Sequence, residues 1–240
     1  MLHIFLYFFA LFSLSTSPNW AKLNQMPVEV LGFYRLGIAS LVLFTWIYIR
    51  EQKITFFKNP QLKWALLSGF FFFLHLWTYK YAAKNTTISN TMIIFSTNPV
   101  WASIGAILFF KEKIYTNVIA SYFFALVGVY IMLKDNLSLN SVSNLGDWSA
   151  LISGFFFAAY MLSGKQARLF FKNTHYAFIQ YLVCAICFLV AGTLQQSNFT
   201  NHSSISWLAV AGLVILPTFL GHFSMTYLVQ HMNLSLMTCG

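Results

Sequence analysis

Among the charged residues, Arg35 has the position that most strongly indicates a binding function. It lies about two helical turns into a long apolar run, where an ionised side chain is costly and is functional by default. A guanidinium group binds carboxylates through paired hydrogen bonds, so Arg35 is a candidate contact for an anion in a cavity. The alternative is structural: Arg35 reaches the interface, or braces a neighbouring helix through backbone carbonyls or Glu29.

Two histidines and three aromatic residues form a second set of candidates. His75 and Tyr79 are four residues apart, which places them on one face of a helix. His222 lies in a later apolar run, and Trp77 and Tyr160 are further candidate lining residues. Imidazoles titrate near neutral pH, so the two histidines could line a proton pathway. Single histidines that are hydrogen-bonded inside a helix bundle are the alternative.

Asn90 and Asn98 place amides inside one apolar run. They are candidate substrate contacts, although hydrogen bonds between membrane helices are a common use of such residues. Glu112 follows that run between Lys111 and Lys113. We interpret Glu112 as a salt bridge at the cytoplasmic interface, structural or gating, rather than as a substrate contact.

Three prolines, Pro18, Pro99 and Pro217, lie in or near apolar runs. A proline leaves a backbone carbonyl without its helical partner and bends the helix. Such bends act as hinges or line a site in transporters. A static kink is an equally good interpretation from the sequence.

The composition indicates the class of protein to which these residues belong. Of 240 residues, 58% are apolar and 8% are charged, whereas soluble domains carry about 25% charged residues. The basic residues form short clusters between apolar runs, so nucleic acid is not the predicted partner. We find no phosphate-binding loop, metal-ligand spacing or catalytic constellation, and therefore predict neither an enzyme nor a cofactor or metal. The remaining class is an all-α polytopic membrane protein.

The apolar runs predict eight complete spans and the start of a ninth, because a bilayer needs about 20 apolar residues per helix. The predicted spans are Leu2–Trp20, Val28–Ile49, Leu62–Ala82, Thr86–Phe110, Asn117–Leu133, Trp148–Gly164, His175–Leu194 and Ile205–Val229, with Asn233–Gly240 beginning the ninth.

The distribution of basic residues predicts an orientation. With the N-terminus in the cytoplasm, the inner side receives most of the Lys and Arg near span ends, as the positive-inside rule requires. The outer side receives Lys22, Lys80, Lys84 and Lys134. We therefore predict an integral multi-pass protein of the plasma membrane (the bacterial inner membrane).

Short similarities recur at a separation of about 145 residues. Trp64–Gly69 resembles Trp207–Gly212, and Tyr81-x-x-Lys84 resembles Tyr227-x-x-Gln230. A unit of five spans that is repeated must be inverted in the membrane. Inverted repeats are typical of secondary transporters, whose substrate binds near the midplane between the halves.

Several motifs together resemble a known family. They are Ser15-Thr-Ser-Pro18, Phe33-Tyr34-Arg35, Asn98-Pro99 and Phe110-Lys111-Glu112-Lys113. This set resembles the EamA-type members of the drug/metabolite transporter superfamily. The resemblance implies an inverted five-plus-five helix repeat: a first repeat at 1–134, an outer connecting loop at 135–147 and an incomplete second repeat at 148–240. It also implies that the rest of the ninth span and the tenth span are missing.

The resemblance and the repeat together predict a secondary transporter that exports a small organic metabolite by alternating access. The predicted partners are lipid and a small molecule, with an amino acid or another carboxylate favoured by Arg35. A truncated, non-transporting membrane protein or an accessory membrane subunit is the alternative function. The oligomeric state is left open.

Overall fold

A computed structural model describes residues 2–51, 56–95, 97–111, 116–133 and 141–232. These residues form helices and contain no β-strand, as expected for a chain whose backbone must satisfy its own hydrogen bonds in lipid. The helices are α1 (Leu2–Ser15), α2 (Ser17–Leu23), α3 (Val28–Glu51), α4 (Leu62–Asn85), α5 (Ile88–Phe95), α6 (Asn98–Phe110), α7 (Thr116–Leu133), α8 (Ser141–Arg168), α9 (Asn173–Leu194), α10 (Ser204–Leu213) and α11 (Ser224–Leu228). A short 3₁₀ helix covers Phe56–Lys58, and a π-helical segment, Val214–Phe223, joins α10 to α11.

Five stretches of the described residues are long and apolar enough to cross a membrane. They are Val28–Glu51, Ser89–Phe110, Leu145–Arg168, Asn173–Leu194 and Ser204–Leu228. Each coincides with a predicted span, which confirms the prediction of a polytopic helical membrane protein. Large apolar side chains on the outside of the bundle, such as Phe8, Leu41 and Leu208, remain exposed, as suits a surface that faces hydrocarbon.

Some helix ends differ from the sequence prediction. The first predicted span is divided into α1 and α2, and Pro18 lies in the first turn of α2. Pro99 likewise lies in the first turn of α6. Proline fits this position because the first turn of a helix has no partner for its N–H groups. Helix α8 begins at Ser141, so Ser141–Asp147 are helical rather than part of the connecting loop.

The packing of the bundle centres on α3, α4, α8 and α9. The most extensive contacts join α4 to α8 and α3 to α9, and α4 also packs against α9. The π-helical segment packs against α1. Side chains from these helices form the buried core, including Phe72, Tyr160, Tyr181 and Phe188.

Small residues allow close approach of α9 to its neighbours. A Cβ added at Gly32 of α3 would lie 2.5 Å from the ring of Phe188, and one at Gly69 of α4 would lie 2.9 Å from the Gln180 carbonyl oxygen. Helix association in lipid depends on such packing, because lipid chains are as apolar as the helices. An ion pair adds to the α3–α9 contact, since Glu51 is 2.9 Å from Lys172 Nζ and 2.8 Å from His175 Nε2.

Candidate functional site

Arg35 is completely buried at the contact between α3 and the π-helical segment. Its Nε donates a hydrogen bond to Thr218 Oγ1 at 2.7 Å. The two terminal guanidinium nitrogens have no hydrogen-bond partner among the described residues. A buried charged group without partners carries a large desolvation cost. The guanidinium is therefore held in place at one nitrogen and available at the other two.

Pro217 explains why Thr218 can hold Arg35. A proline has no N–H with which to continue the α-helical ladder, and the helix widens to π geometry over Val214–Phe223. The hydroxyl of Thr218 donates to the Leu213 carbonyl at 2.8 Å while its oxygen accepts from Arg35. Tyr181 of α9 donates to the Thr218 carbonyl at 3.2 Å. A local irregularity thus presents polar groups in an apolar helix.

The two candidate histidines lie on either side of Tyr160. His75 Nδ1 is 2.9 Å from Ser153 Oγ, and the Ser153 hydroxyl donates to the His75 carbonyl at 3.1 Å. The ring of Tyr160 stacks on that of His75 with centroids 5.8 Å apart, and its hydroxyl is 3.4 Å from His222 Nδ1. The ring of Phe72 links these groups to the attachment of Arg35, because its centroid is 4.8 Å from that of His222 and 6.1 Å from that of Tyr181, which bonds Thr218. Arg35, His75, Tyr160 and His222 form one site, which we call the central cluster.

A second hydrogen-bond network supports the central cluster from the side of α9. Ser68 of α4 donates to the Tyr160 carbonyl at 3.0 Å and is 2.6 Å from the Tyr176 hydroxyl. The amide of Gln180 donates to Ser68 at 3.3 Å, while its oxygen has no partner in the part of the chain that the structure describes. These bonds connect α4, α8 and α9 beside the cluster.

The other candidates are not brought into the cluster. Trp77 packs edge-to-face on Phe73, and the amide of Asn90 donates to the hydroxyl of Thr86, which precedes α5, at 3.4 Å. Asn98 is buried beside Gly154 of α8. Tyr79 lies at the margin, with its ring centroid 6.0 Å from that of His75.

Glu112 lies outside the described residues, so its proposed salt bridge stays a prediction. Across the described ranges, no group of three or more His, Cys, Asp and Glu residues is placed to hold a metal ion.

Comparison with known proteins identifies the family. A sequence model of the EamA-like transporter family matches residues 1–134 and 144–238. The chain belongs to this family of membrane transporters. The match confirms the resemblance seen in the sequence motifs.

Solved structures share the fold of this EamA-like transporter, and one of them gives the measure of the likeness. It is described as "Crystal structure of protein", has a TM-score of 0.79 and 15% sequence identity, and the match covers 99% of this chain and 82% of that one. At this identity the likeness shows the fold alone. A search of curated proteins found no match.

Sequence reasoning on this EamA-like transporter missed three polar residues near the central cluster. Thr218 and Tyr181 were not singled out. The threonine directly after Pro217 was the available signal, because its hydroxyl can bond a backbone carbonyl in the region where the proline interrupts the helical hydrogen bonds. Lys80 was counted only among the basic residues near span ends, and its burial in α4, with 6% of its surface exposed, was not predicted.

Thr218→Val tests the attachment of Arg35. Valine keeps the shape of threonine but removes the hydroxyl, leaving Arg35 Nε without its acceptor. Because an unsatisfied buried polar group costs about 1–3 kcal/mol, we expect a clearly lower unfolding temperature of the purified protein in detergent. Thr218→Ser, which keeps the hydroxyl, should unfold close to the wild type. Equal stability of the valine and serine variants would contradict the assigned role.

Proposed function

We propose that this EamA-like transporter is a secondary transporter that exports a small organic metabolite across the cytoplasmic membrane by alternating access. The observation that carries the proposal is the guanidinium of Arg35, which is buried at a helix contact with two nitrogens left for a ligand. Arginine in a membrane helix marks a substrate or ion pathway by default. A guanidinium with two available nitrogens fits a carboxylate of an amino acid or organic acid.

Reciprocal packing supports an inverted repeat. If α8 and the following helices correspond to α1 and those after it, then the π-helical segment corresponds to α4 and α9 to α3. Helix α4 packs against α8, the π-helical segment packs against α1, and α3 packs against α9. A pseudo-two-fold axis that relates the two halves requires such pairs: the contact of α4 with α8 has its counterpart in that of the π-helical segment with α1, and α3 pairs with its own counterpart α9. The central cluster would lie between the halves, where inverted-repeat transporters bind substrate.

Burial of the cluster supports alternating access as the mechanism. Arg35, His75, Tyr160 and His222 are all shielded from solvent. A substrate therefore reaches Arg35 only when α3 and the π-helical segment move apart. Pro217, at their contact, is our proposed hinge, with Pro18 and Pro99 at the helix starts as secondary bends. Tyr79, Trp77, Asn90 and Asn98 are proposed lining residues farther from Arg35.

Counterflow in proteoliposomes tests the proposal. Vesicles that contain the purified chain are loaded with one unlabelled compound and diluted into the same compound in labelled form. The panel holds an amino acid, a monocarboxylate, a dicarboxylate, a phosphate ester and a neutral sugar. We expect saturable counterflow of a carboxylate-bearing or otherwise anionic compound. Flux equal to that of protein-free vesicles for the whole panel, with protein that unfolds cooperatively, would refute transport.

A further inference from the structure

Lys80 is a second buried basic residue that the proposed mechanism does not use. It lies in α4 with 6% of its surface exposed, and its Nζ has no hydrogen-bond partner within the described residues. Its Nζ lies over the ring of Phe188, 5.8 Å from the centroid. When the amine is protonated, a cation–π contact replaces only part of the hydration of the ammonium group.

Lys80 and Arg35 are connected through the ring of Phe188. Lys80 Nζ lies 5.8 Å from the centroid of that ring, and the ring packs against Gly32, about one helical turn before Arg35 in α3. Thr218 and Tyr181, which attach Arg35 to the π-helical segment, carry no negative charge at neutral pH. Glu29 is a buried acidic residue in the first turn of α3, about two turns before Arg35. Two buried basic residues and one buried acidic residue thus lie in this region of the described bundle.

We propose that Arg35 and Lys80 together bind a substrate that carries two negative charges. The inference rests on the proposed transport function and narrows its substrate class. Two buried basic groups without hydrogen-bond acceptors favour a dianion, because each anionic group accepts hydrogen bonds from one protonated basic group and compensates its charge. A zwitterionic amino acid fits less well, because its ammonium group would lie near a lysine that already lacks a partner. A dicarboxylate and a phosphate monoester supply the same charge.

Lys80→Met is the decisive variant, and Lys84→Met is its matched control. Lys84 lies one turn farther along α4 and is exposed to solvent. Methionine is close in length to lysine, and replacing an unpaired buried charge by an apolar side chain is neutral or stabilising. We therefore expect both variants to fold. An unfolding temperature at or above that of the wild type verifies this.

The experiment measures counterflow for succinate, glycerol 3-phosphate, butyrate and alanine, with ligand-induced thermal stabilisation in detergent as a second readout. We expect the wild type to prefer succinate or glycerol 3-phosphate, and the preferred one identifies the anionic group. In Lys80→Met the apparent affinity for that dianion should fall by about tenfold to a hundredfold, the range for loss of one charge-assisted hydrogen bond. Butyrate affinity should change by less than about threefold, and Lys84→Met should match the wild type.

Three results would overturn the inference. The first is a wild type that transports butyrate or alanine in preference to both dianions, which leaves the proposed transport function standing. The second is a Lys80→Met variant that keeps the dianion affinity of the wild type. The third is a wild type that transports and binds none of the four compounds or the wider panel, which refutes the transport function and this inference with it.

Discussion

Arg35→Lys is expected to lose transport by about a hundredfold although it keeps the positive charge. Lysine presents a single ammonium group and cannot bond Thr218 through one nitrogen while it offers two others to a carboxylate. Loss of two charge-assisted bonds, at roughly 1.5–3 kcal/mol each, accounts for a decrease of this size or more. The measurement is the initial rate of counterflow for the substrate found with the wild type.

Arg50→Lys is the control for Arg35→Lys. Arg50 lies near the end of α3, is exposed and packs over Trp46 at 4.9 Å. We expect this variant to transport at the wild-type rate. If Arg35→Lys also transports at that rate, the paired geometry of the guanidinium is not used, and Arg35 serves the alternative structural role.

Gly32→Ala should destabilise the bundle, whereas Gly37→Ala on the same helix should not. The new methyl group at position 32 would meet the Phe188 ring, which is fully buried and has no room to move. Overpacking of this kind costs about 1–3 kcal/mol, or a fall in unfolding temperature of roughly 2–4 °C per kcal/mol. At Gly37 nothing lies within 4 Å of the added carbon. There the higher helix propensity of alanine should leave stability unchanged or raised.

Phe188→Ala tests whether a clash with the Phe188 ring is the reason that Gly32→Ala destabilises the bundle. The single Phe188→Ala variant loses core packing and is itself destabilised. If the clash explains the effect of Gly32→Ala, the double variant will be more stable than the sum of the two single changes predicts. Additive changes in stability would mean that residue 32 acts through some other contact. Unfolding in detergent, followed by intrinsic fluorescence, measures all four proteins.

The helices were predictable because apolar composition in a bilayer leaves few alternatives to them. The irregular points were harder to predict. The division at Thr16, the π geometry over Val214–Phe223 and the early start of α8 depend on neighbouring helices, which the local sequence does not specify. Pro217 indicated a bend, but the same residue type permits a kink, a widened turn or a break.

The central cluster was predicted in part. Arg35, His75, Tyr160 and His222 were chosen because polar residues are rare in apolar runs, and the structure brings these four together. Asn90 is likewise a polar residue in an apolar run, yet its amide bonds a nearby residue, Thr86, just before its own helix. Thr218 was missed because its partner, Arg35, is 183 residues away in the sequence. The burial of Lys80 was not predicted because Lys80 lies near the end of a predicted span, whereas α4 continues to Asn85 and is covered by α9.

The pairing of α4 with α8 has a consequence for biogenesis. Helix α4 is not among the described stretches apolar enough to cross a membrane by themselves, and its main partner is synthesised much later. At about 5–20 residues per second, α8 follows α4 by several seconds. We expect α4 to rely on the insertion machinery and on contacts with the earlier helices during that interval. Substitutions that make α4 more polar will therefore reduce the amount of protein inserted before they affect its rate of transport.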